Sequence, residues 1–275
     1  MRKTRILLAL FSVIVLFQGF DAQAQEARAR YETMEMIRKE KFDLVLPGAM
    51  RDNNIDMWIH VMMEGINDPL ALDLGVSGNI SVTDTLCFAI FTDRGGDRIE
   101  RAVLGGGRGS RELYDLFGAE RDLQDFVSER DPKRIAVNMS DWLPASNGLT
   151  HTGYLRLVRL LGDKYASRLV SAENLITDFR VRRVQAEIIA FAKIAEIQRQ
   201  LMEEAYRRIV PGVTTREELG WWVQEQLLSK GLITLPRGPS APGGSRGNVY
   251  QRGDFLSWDW GIRYLNFGTD FKRKG

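Results

Sequence analysis

The stretch that decides the fold is Gly253-Asp-Phe-Leu-Ser-Trp-Asp259-Trp-Gly-Ile-Arg-Tyr-Leu-Asn-Phe-Gly-Thr-Asp270-Phe-Lys-Arg-Lys-Gly275. Aromatic and aliphatic residues from Phe255 to Phe267 predict two strands, and aspartate is depleted inside strands, so Asp259 and Asp270 need a reason to be there. If the strands form a hairpin in which the two aspartates face each other, its turn is centred between Tyr264 and Leu265. Directly opposed side chains bring their Cβ atoms to about 4.5–5.5 Å, where like charges repel. A cation between them removes the conflict. Carboxylates at that separation can hold two divalent ions roughly 3.5–4 Å apart, the geometry that generates hydroxide and clamps a carbonyl. The alternative is two aspartates in loose edge strands, solvated or paired with Arg252 and Arg263.

Upstream of this segment the texture is helical. Ile188, Ala192, Ala195, Met202, Ala205 and Ile209 lie close to one helical face, interrupted by Arg199, and Pro211-Gly212 stops the helix. Thr215 and Glu218 form a capping box for the next one, whose buried stripe reads Leu219, Trp222, Val223 and Leu227 and which Gly231 ends. Pro236 to Gly247 is rich in proline and glycine and reads as a loop.

Before Asp178 strands alternate with helices, which predicts a mixed α/β domain. Met50 to Val61 reads as a helix feeding a buried strand. Thr85 to Phe91 is a second buried strand, joined to Arg98–Leu104 by a hairpin through Asp93-Arg-Gly-Gly-Asp97. Leu113, Leu116, Phe117, Leu123, Phe126 and Val127 are the apolar positions of an expected helix. Ile135–Val137 and Leu169-Val170 are short strands, with a helix over Tyr154–Leu161 between them.

Composition narrows the function. With 44% hydrophobic and 27% charged residues the chain is globular, which excludes collagen-like, disordered and disulfide-stapled classes. Removing Arg2, Lys3, Arg5 and Asp21 from 38 basic and 36 acidic residues leaves the rest neutral. No basic excess or stripe is visible to neutralise phosphate, so nucleic acid is not an expected partner. The three basic residues precede an apolar run from Ile6 to Phe17 and then Ala22-Gln-Ala24, the layout of a cleaved signal peptide. Residues 1–24 are therefore read as an address, cleaved after Ala24, to the periplasm or exterior. The single Cys87 falls in a buried strand and reads as a small core residue.

Other chemistry is weaker. Gly105-Gly-Gly-Arg-Gly-Ser110 lacks the lysine of a phosphate-binding loop and reads as a flexible turn. His60 and His151 have no Cys or carboxylate at a metal-ligand spacing and read as structural. No Gly-x-Ser-x-Gly elbow exposes a serine nucleophile.

The segment Gly253 to Asp270, with Lys272-Arg273, resembles the first metal-binding hairpin of the methionine aminopeptidase, Xaa-Pro aminopeptidase, prolidase and creatinase family. Met50-Arg to Asp56-Met-Trp58, Leu149-Thr-His-Thr-Gly-Tyr154, Leu169-Val-Ser-Ala-Glu173 and Arg180 to Glu187-Ile188 are similar to its two-domain Xaa-Pro branch. The resemblance implies an α/β creatinase-like domain over 25–178 and an incomplete α+β pita-bread catalytic domain over 179–275. It implies Asp259 as a ligand of one divalent metal ion (Mn, Co or Zn) and Asp270 as the bridge to a second. It also implies proline-containing peptides as substrates and a homodimer for the intact parent enzyme.

The family completes its site with a His and two Glu on later strands. No histidine follows His151, and Leu235–Val249 lacks the substrate-side His the family often carries. The chain is accordingly expected to be a fragment of a longer enzyme with no catalytic residues of its own. The alternative is a noncatalytic binding or dimerisation member of the same fold.

Overall fold

The computed structural model describes residues 25–63, 65–78, 86–234, 238–244 and 247–275. Residues 1–24, expected to be an address, and part of the 236–247 stretch lie outside them. The chain divides into two compact units, the first ending at Val184 and the second covering Gln185–Gly275. Among the described residues no helix is long and apolar enough to cross a membrane.

The first unit is a six-stranded mixed sheet of order β6-β4-β3-β1-β7-β8. Its strands are β1 (Met57–Met63), β3 (Leu86–Thr92), β4 (Glu100–Gly105), β6 (Leu116–Gly118), β7 (Ile135–Val137) and β8 (Leu169–Ser171). β1 runs antiparallel to β3 and parallel to β7, so the centre of the sheet is where its direction changes. Every residue of β3 and all of β1 except Met63 are buried, because both faces are covered and both sets of alternating side chains must be apolar.

One face packs Met57, Ile59, Val61, Phe88, Ile90, Ile135 and Val137 against α4 (Leu123–Arg130) and α5 (His151–Ala166). The other carries an aromatic cluster. Trp58 and its cross-strand partner Phe91 stack at 4.9 Å, and Phe42 lies 5.1 Å from Phe91 and 6.1 Å from Phe179. Phe42 comes from a helical segment comprising α1 (25–40), a π turn (Lys41–Val45) and α2 (Leu46–Asp52). Phe179 comes from α6 (Glu173–Val181).

α6 is joined to that segment by polar bonds as well. Asn53 Nδ2 donates to Asp178 Oδ2 at 2.8 Å, and Arg182 pairs with Asp52 at 2.8 Å. These ties hold α6 within the first unit, so the division falls just after it. The buried Lys41 ammonium donates to the carbonyls of Phe179 at 2.7 Å and Arg182 at 2.5 Å. A cation there satisfies the free carbonyls at a helix C-terminus and complements its dipole.

Two sequence expectations in this unit are corrected. Leu116-Phe-Gly118 is not helical. It is the edge strand β6, parallel to β4; a 3-10 turn at Glu120–Asp122 follows it, and the α-helix begins at Leu123. Its apolar residues are spaced for either structure, and the neighbouring strand decides the outcome. Gly105–Ser110 is not a free turn. Gly105 ends β4, and Gly107–Gly109 forms β5, antiparallel to β2 (Val76–Gly78). Gly105 has φ +90°, and a Cβ there would meet the Leu86 carbonyl oxygen at 2.0 Å.

The second unit begins with α7 (Gln185–Arg207) and α8 (Arg216–Ser229), followed by β9 (Ile233–Thr234) and the terminal hairpin. The capping box of α8 forms as expected: Thr215 Oγ1 accepts from the Glu218 amide at 3.1 Å, and the Glu218 carboxylate accepts from the Thr215 amide at 3.2 Å. The Thr215 hydroxyl, which donates to the Glu218 carboxylate at 2.7 Å, and then the Thr215 amide hold the Glu218 carboxyl below its ordinary pKa. The α7 stripe matches its expected position at Met202 and Ala205 and departs from it at Ile188 and Ala192. Ala190, Ile194, Gln198, Leu201, Met202 and Ala205 are buried, while Ile188 is half exposed. The polar Gln198 belongs to the buried face because its side-chain amide donates to the Trp260 carbonyl.

Replacing Lys41 by Met keeps the buried stem but leaves the α6 carbonyls without their cation. Hydrogen bonds to charged groups contribute about 1.5–3 kcal/mol, so the variant is expected to lose about 2 kcal/mol in urea unfolding. Hydrogen exchange should show the last turn of α6 losing protection first.

Candidate functional site

The terminal hairpin consists of β10 (Ser257–Trp260), β11 (Ile262–Tyr264), β12 (Phe267–Gly268) and β13 (Phe271–Lys274). β10 pairs with β13 and β11 with β12, all antiparallel and in one register from Ser257↔Lys274 to Tyr264↔Phe267. The backbone bonds between Leu256 and Gly275, at 2.7 and 2.9 Å, extend it by one rung. Two of its residues, Trp258 and Trp260, are almost fully buried, with rings stacked at 4.5 Å. Tyr206 of α7 lies 6.3 Å from Trp258. Alternation along a strand then sends Asp259 to the opposite, exposed face.

The observed turn is centred between Leu265 and Asn266, one residue later than opposed aspartates require, and Leu265 takes φ +50°. The residue opposite Asp259 is therefore Lys272, not Asp270. Lys272 Nζ donates to Asp259 Oδ2 at 3.2 Å. This corrects the expected pairing, and Arg252 and Arg263 are not the partners either. Asp270 sits two positions before Lys272 and so shares the Asp259 face as a diagonal neighbour. In a regular ladder such neighbours are about 7–8 Å apart.

The ladder is not regular at this point. Ile262 and Thr269 should exchange two backbone bonds, and the Thr269 amide does donate to the Ile262 carbonyl at 2.9 Å. The Ile262 amide instead donates to the Thr269 hydroxyl at 3.0 Å. Thr269 is buried, and its side chain stands in for a ladder carbonyl beside Asp270. Asp270 itself is exposed and outside any strand. With Arg199, Met202, Phe271, Lys272 and Arg273 it lines an open depression of about 370 Å³. Arg199 pairs with Glu196 at 2.8 Å, and Arg273 pairs with Glu203.

The Pro/Gly loop reaches the same hairpin. Gly243 and Ser257 exchange backbone bonds of 2.8 Å, and Trp258 Nε1 donates to Ser240 Oγ at 3.0 Å. Gly244 has φ +111°, and a Cβ there would fall 2.1 Å from the Phe255 carbonyl oxygen. Tyr250, buried nearby, donates its hydroxyl to the Pro242 carbonyl at 2.8 Å, and burial pushes it up to about 12.

Among the described residues no group of three or more His, Cys, Asp or Glu side chains could hold a metal ion. Asp259 and Asp270 are two oxygen donors on one face, with the ammonium of Lys272 beside the first. That set does not fit a closed dinuclear centre, which needs further ligands to fix metal positions.

One buried polar pair was not legible from spacing. His60 Nε2 donates to Asp68 Oδ1 at 2.9 Å, with both side chains inside the first unit. Burial pushes the Asp68 carboxyl up. The His60 hydrogen bond and charge, together with the Leu70 and Ala71 amides, outweigh it and hold the carboxyl below its ordinary value. Asn138 completes the cluster, exchanging bonds of 2.9 and 2.8 Å with the Val61 backbone. The pair ties the 65–75 segment to β1 and reads as structural, as His60 was expected to be. His151 opens α5 behind the Thr150 cap and is exposed.

No protein-family profile and no curated protein matches the sequence. Solved structures do match the fold. An Xaa-Pro dipeptidase from Bacillus anthracis has a TM-score of 0.52 at 16% identity, over 87% of this chain and 64% of that one. Dipeptidase PepE from Mycobacterium ulcerans matches with the same values. A histidine-to-alanine variant of aminopeptidase P from Escherichia coli has 0.50 at 11%, over 88% and 61%. This chain spans less than two thirds of the length of these proteins. At such identities the likeness establishes the fold: a mixed α/β sheet domain and part of a pita-bread domain.

Two outcomes follow from the site's supports. Thr269→Val preserves shape but leaves the buried Ile262 amide without an acceptor, and is expected to cost about 1–3 kcal/mol in denaturant unfolding. Asp68→Asn removes a buried charge partner of His60, for which about 3 kcal/mol is expected. Because the folded Asp68 pKa is lowered, its contribution is full above the ordinary carboxylate pKa near 3.9 and is lost as pH falls through the folded value. The stability gap between wild type and Asp68→Asn should therefore shrink on acidification below about pH 4.

Proposed function

We propose that this chain belongs to an exported dinuclear-metal peptidase of the Xaa-Pro type, an aminopeptidase or dipeptidase that hydrolyses the bond before proline. Its intact form is a homodimer, and the 275 residues, among whose described residues no group of three or more metal-ligating side chains is found, are expected to show no turnover. The observation that carries the reading is the placement of Asp259 and Asp270 on one face of the terminal hairpin, in a chain with the fold of Xaa-Pro peptidases. Arg2, Lys3, Arg5 and the Ile6–Phe17 run support export.

In this reading Asp259 would be a ligand of one divalent ion (Mn, Co or Zn) and Asp270 would contribute its carboxylate to that ion and a second. Such ions supply a hydroxide nucleophile and polarise the scissile carbonyl when bound. What these residues contribute is placement. The buried tryptophans hold Asp259 outward, the Thr269 hydroxyl fixes the backbone entering Asp270, and the Ser240–Gly244 stretch braces the start of β10. Two carboxylates do not by themselves complete a first shell, which is why the chain alone is assigned no turnover.

A noncatalytic binding or dimerisation role is the second reading. It is favoured by the Lys272–Asp259 ion pair, which already gives the first carboxylate a cation.

The test uses paired peptides that differ only in Pro or Ala after the cleaved bond, with Mn²⁺, Co²⁺ or Zn²⁺ added. The 275-residue chain is expected to show no turnover, and genomic sequence past the Gly275 codon is expected to encode a His and two Glu in strand-like segments. If no reading frame there supplies those ligands, the peptidase reading fails and the noncatalytic one stands. Proline-dependent turnover by the 275 residues would instead overturn the assignment of inactivity.

A further inference from the structure

We propose that Asn147-Gly148 is a site of spontaneous deamidation, and that the carboxylate it produces weakens the buried Asp68–His60 tie beside it.

The sequence holds a single Asn-Gly pair, at 147–148. It lies just past the 3-10 turn Pro144–Ser146 and ahead of the Thr150 cap of α5, outside any helix or strand. No ladder therefore fixes its peptide group. The Asn147 side chain is exposed. Among the described residues, neither that side chain nor the Gly148 amide makes a hydrogen bond. The two groups that react are thus adjacent in the chain and unengaged. Glycine supplies a third condition: with no Cβ it leaves its own nitrogen unhindered and reaches conformations closed to other residues.

The fold retains this glycine. A Cβ at 148 would run into Asp68 Oδ2 and approach Asn138 Nδ2 to 3.2 Å. Neither group is free to yield. Asp68 Oδ1 accepts from His60 Nε2 at 2.9 Å and from the Leu70 amide at 2.8 Å, while Asn138 bonds the Val61 backbone in both directions.

The Gly148 nitrogen, giving up its proton to solvent, attacks Asn147 Cγ. A C–N bond forms, the Cγ–Nδ2 bond breaks and ammonia departs after taking up a proton, which leaves a cyclic imide. Water then adds to either imide carbonyl. Opening at Cγ gives aspartate, and opening at the main-chain carbonyl gives isoaspartate. Overall, water is consumed and ammonia released without oxidation or reduction.

Either product places a negative charge one residue from the glycine against which Asp68 packs. A like charge nearby disfavours the ionised form of a carboxylate, the form that His60 and the Leu70 amide stabilise. Isoaspartate also lengthens the backbone between two bonded points, the Asn147 amide on the Pro144 carbonyl and the Leu149 amide on the Asn138 carbonyl, each at 3.2 Å.

The experiment ages the full chain for days in mildly alkaline buffer, both folded and in urea. Peptides are then read by mass spectrometry with isoaspartyl methyltransferase labelling, and urea unfolding midpoints are taken before and after. In the folded chain Asn147 is expected to lose its amide before any other asparagine, within roughly tenfold of its rate in urea, since no structure must open first. The midpoint should fall as conversion proceeds, and Asn147→Ser should keep its midpoint on ageing. Asn147→Asp should lower the midpoint without ageing, and the drop should vanish in an Asp68→Asn background, where the second carboxylate is gone. If Asn147 keeps its amide in the folded chain while other asparagines lose theirs, or converts only in urea, the site is overturned. If it converts and neither ageing nor Asn147→Asp moves the midpoint, or if Asp68→Asn leaves the drop unchanged, the coupling to Asp68 fails and the proposal with it.

Discussion

Two buried tryptophans, alternating with an aspartate along four residues of strand, organise the second unit. The rings of Trp258 and Trp260 stack on each other, with Tyr206 of α7 beside the first. Burying two indoles removes a large apolar area from water. A strand cannot turn one side chain inward without turning the next outward. Asp259 is exposed because its neighbours are not, and every charge on that face takes its place from the same alternation. The Gln198 amide reinforces this by bonding the Trp260 carbonyl, which holds β10 against α7 by its backbone as well as its rings.

The same hairpin shows how a polar side chain can reset a backbone. The Thr269 hydroxyl accepts from the Ile262 amide, so the rung before Asp270 is closed by a side chain and the strand is interrupted at 269 and 270. The pairing resumes in unchanged register at Phe271, and Asp270 therefore shares a face with Asp259 while standing diagonal to it. The first unit answers a different demand. Its central strands are covered on both sides, so each polar group that enters must bring a partner. Lys41 closes on the carbonyls at the end of α6, His60 closes on Asp68, and Asn138 extends the β1–β7 ladder with its amide.

Much of this could be read from residues alone where a local rule sufficed. The capping box at Thr215 and Glu218, the hairpin through Asp93–Asp97 and the buried strand around Cys87 each depend on neighbours within a few positions. The α7 stripe escaped because Gln198 is polar and its acceptor lies 62 residues away. The 116–118 strand escaped because its partner, β4, lies outside any local window. His60 and Asp68 are eight residues apart, a separation with no helical or strand meaning, and only the return of the 65–75 segment to β1 joins them.

What the sequence determined unaided is the class of structure and the two acidic positions: aromatic alternation makes strands around Asp259, and glycine, proline and capping residues punctuate the helices. What only the tertiary structure decided is who faces whom. A one-residue shift of the turn, to a centre between Leu265 and Asn266, leaves each strand's composition unchanged but replaces Asp270 with Lys272 opposite Asp259. The choice depends on long-range packing of the tryptophans and on the Thr269 hydroxyl. The energies that select a register come from the partner strand and the helix beneath it.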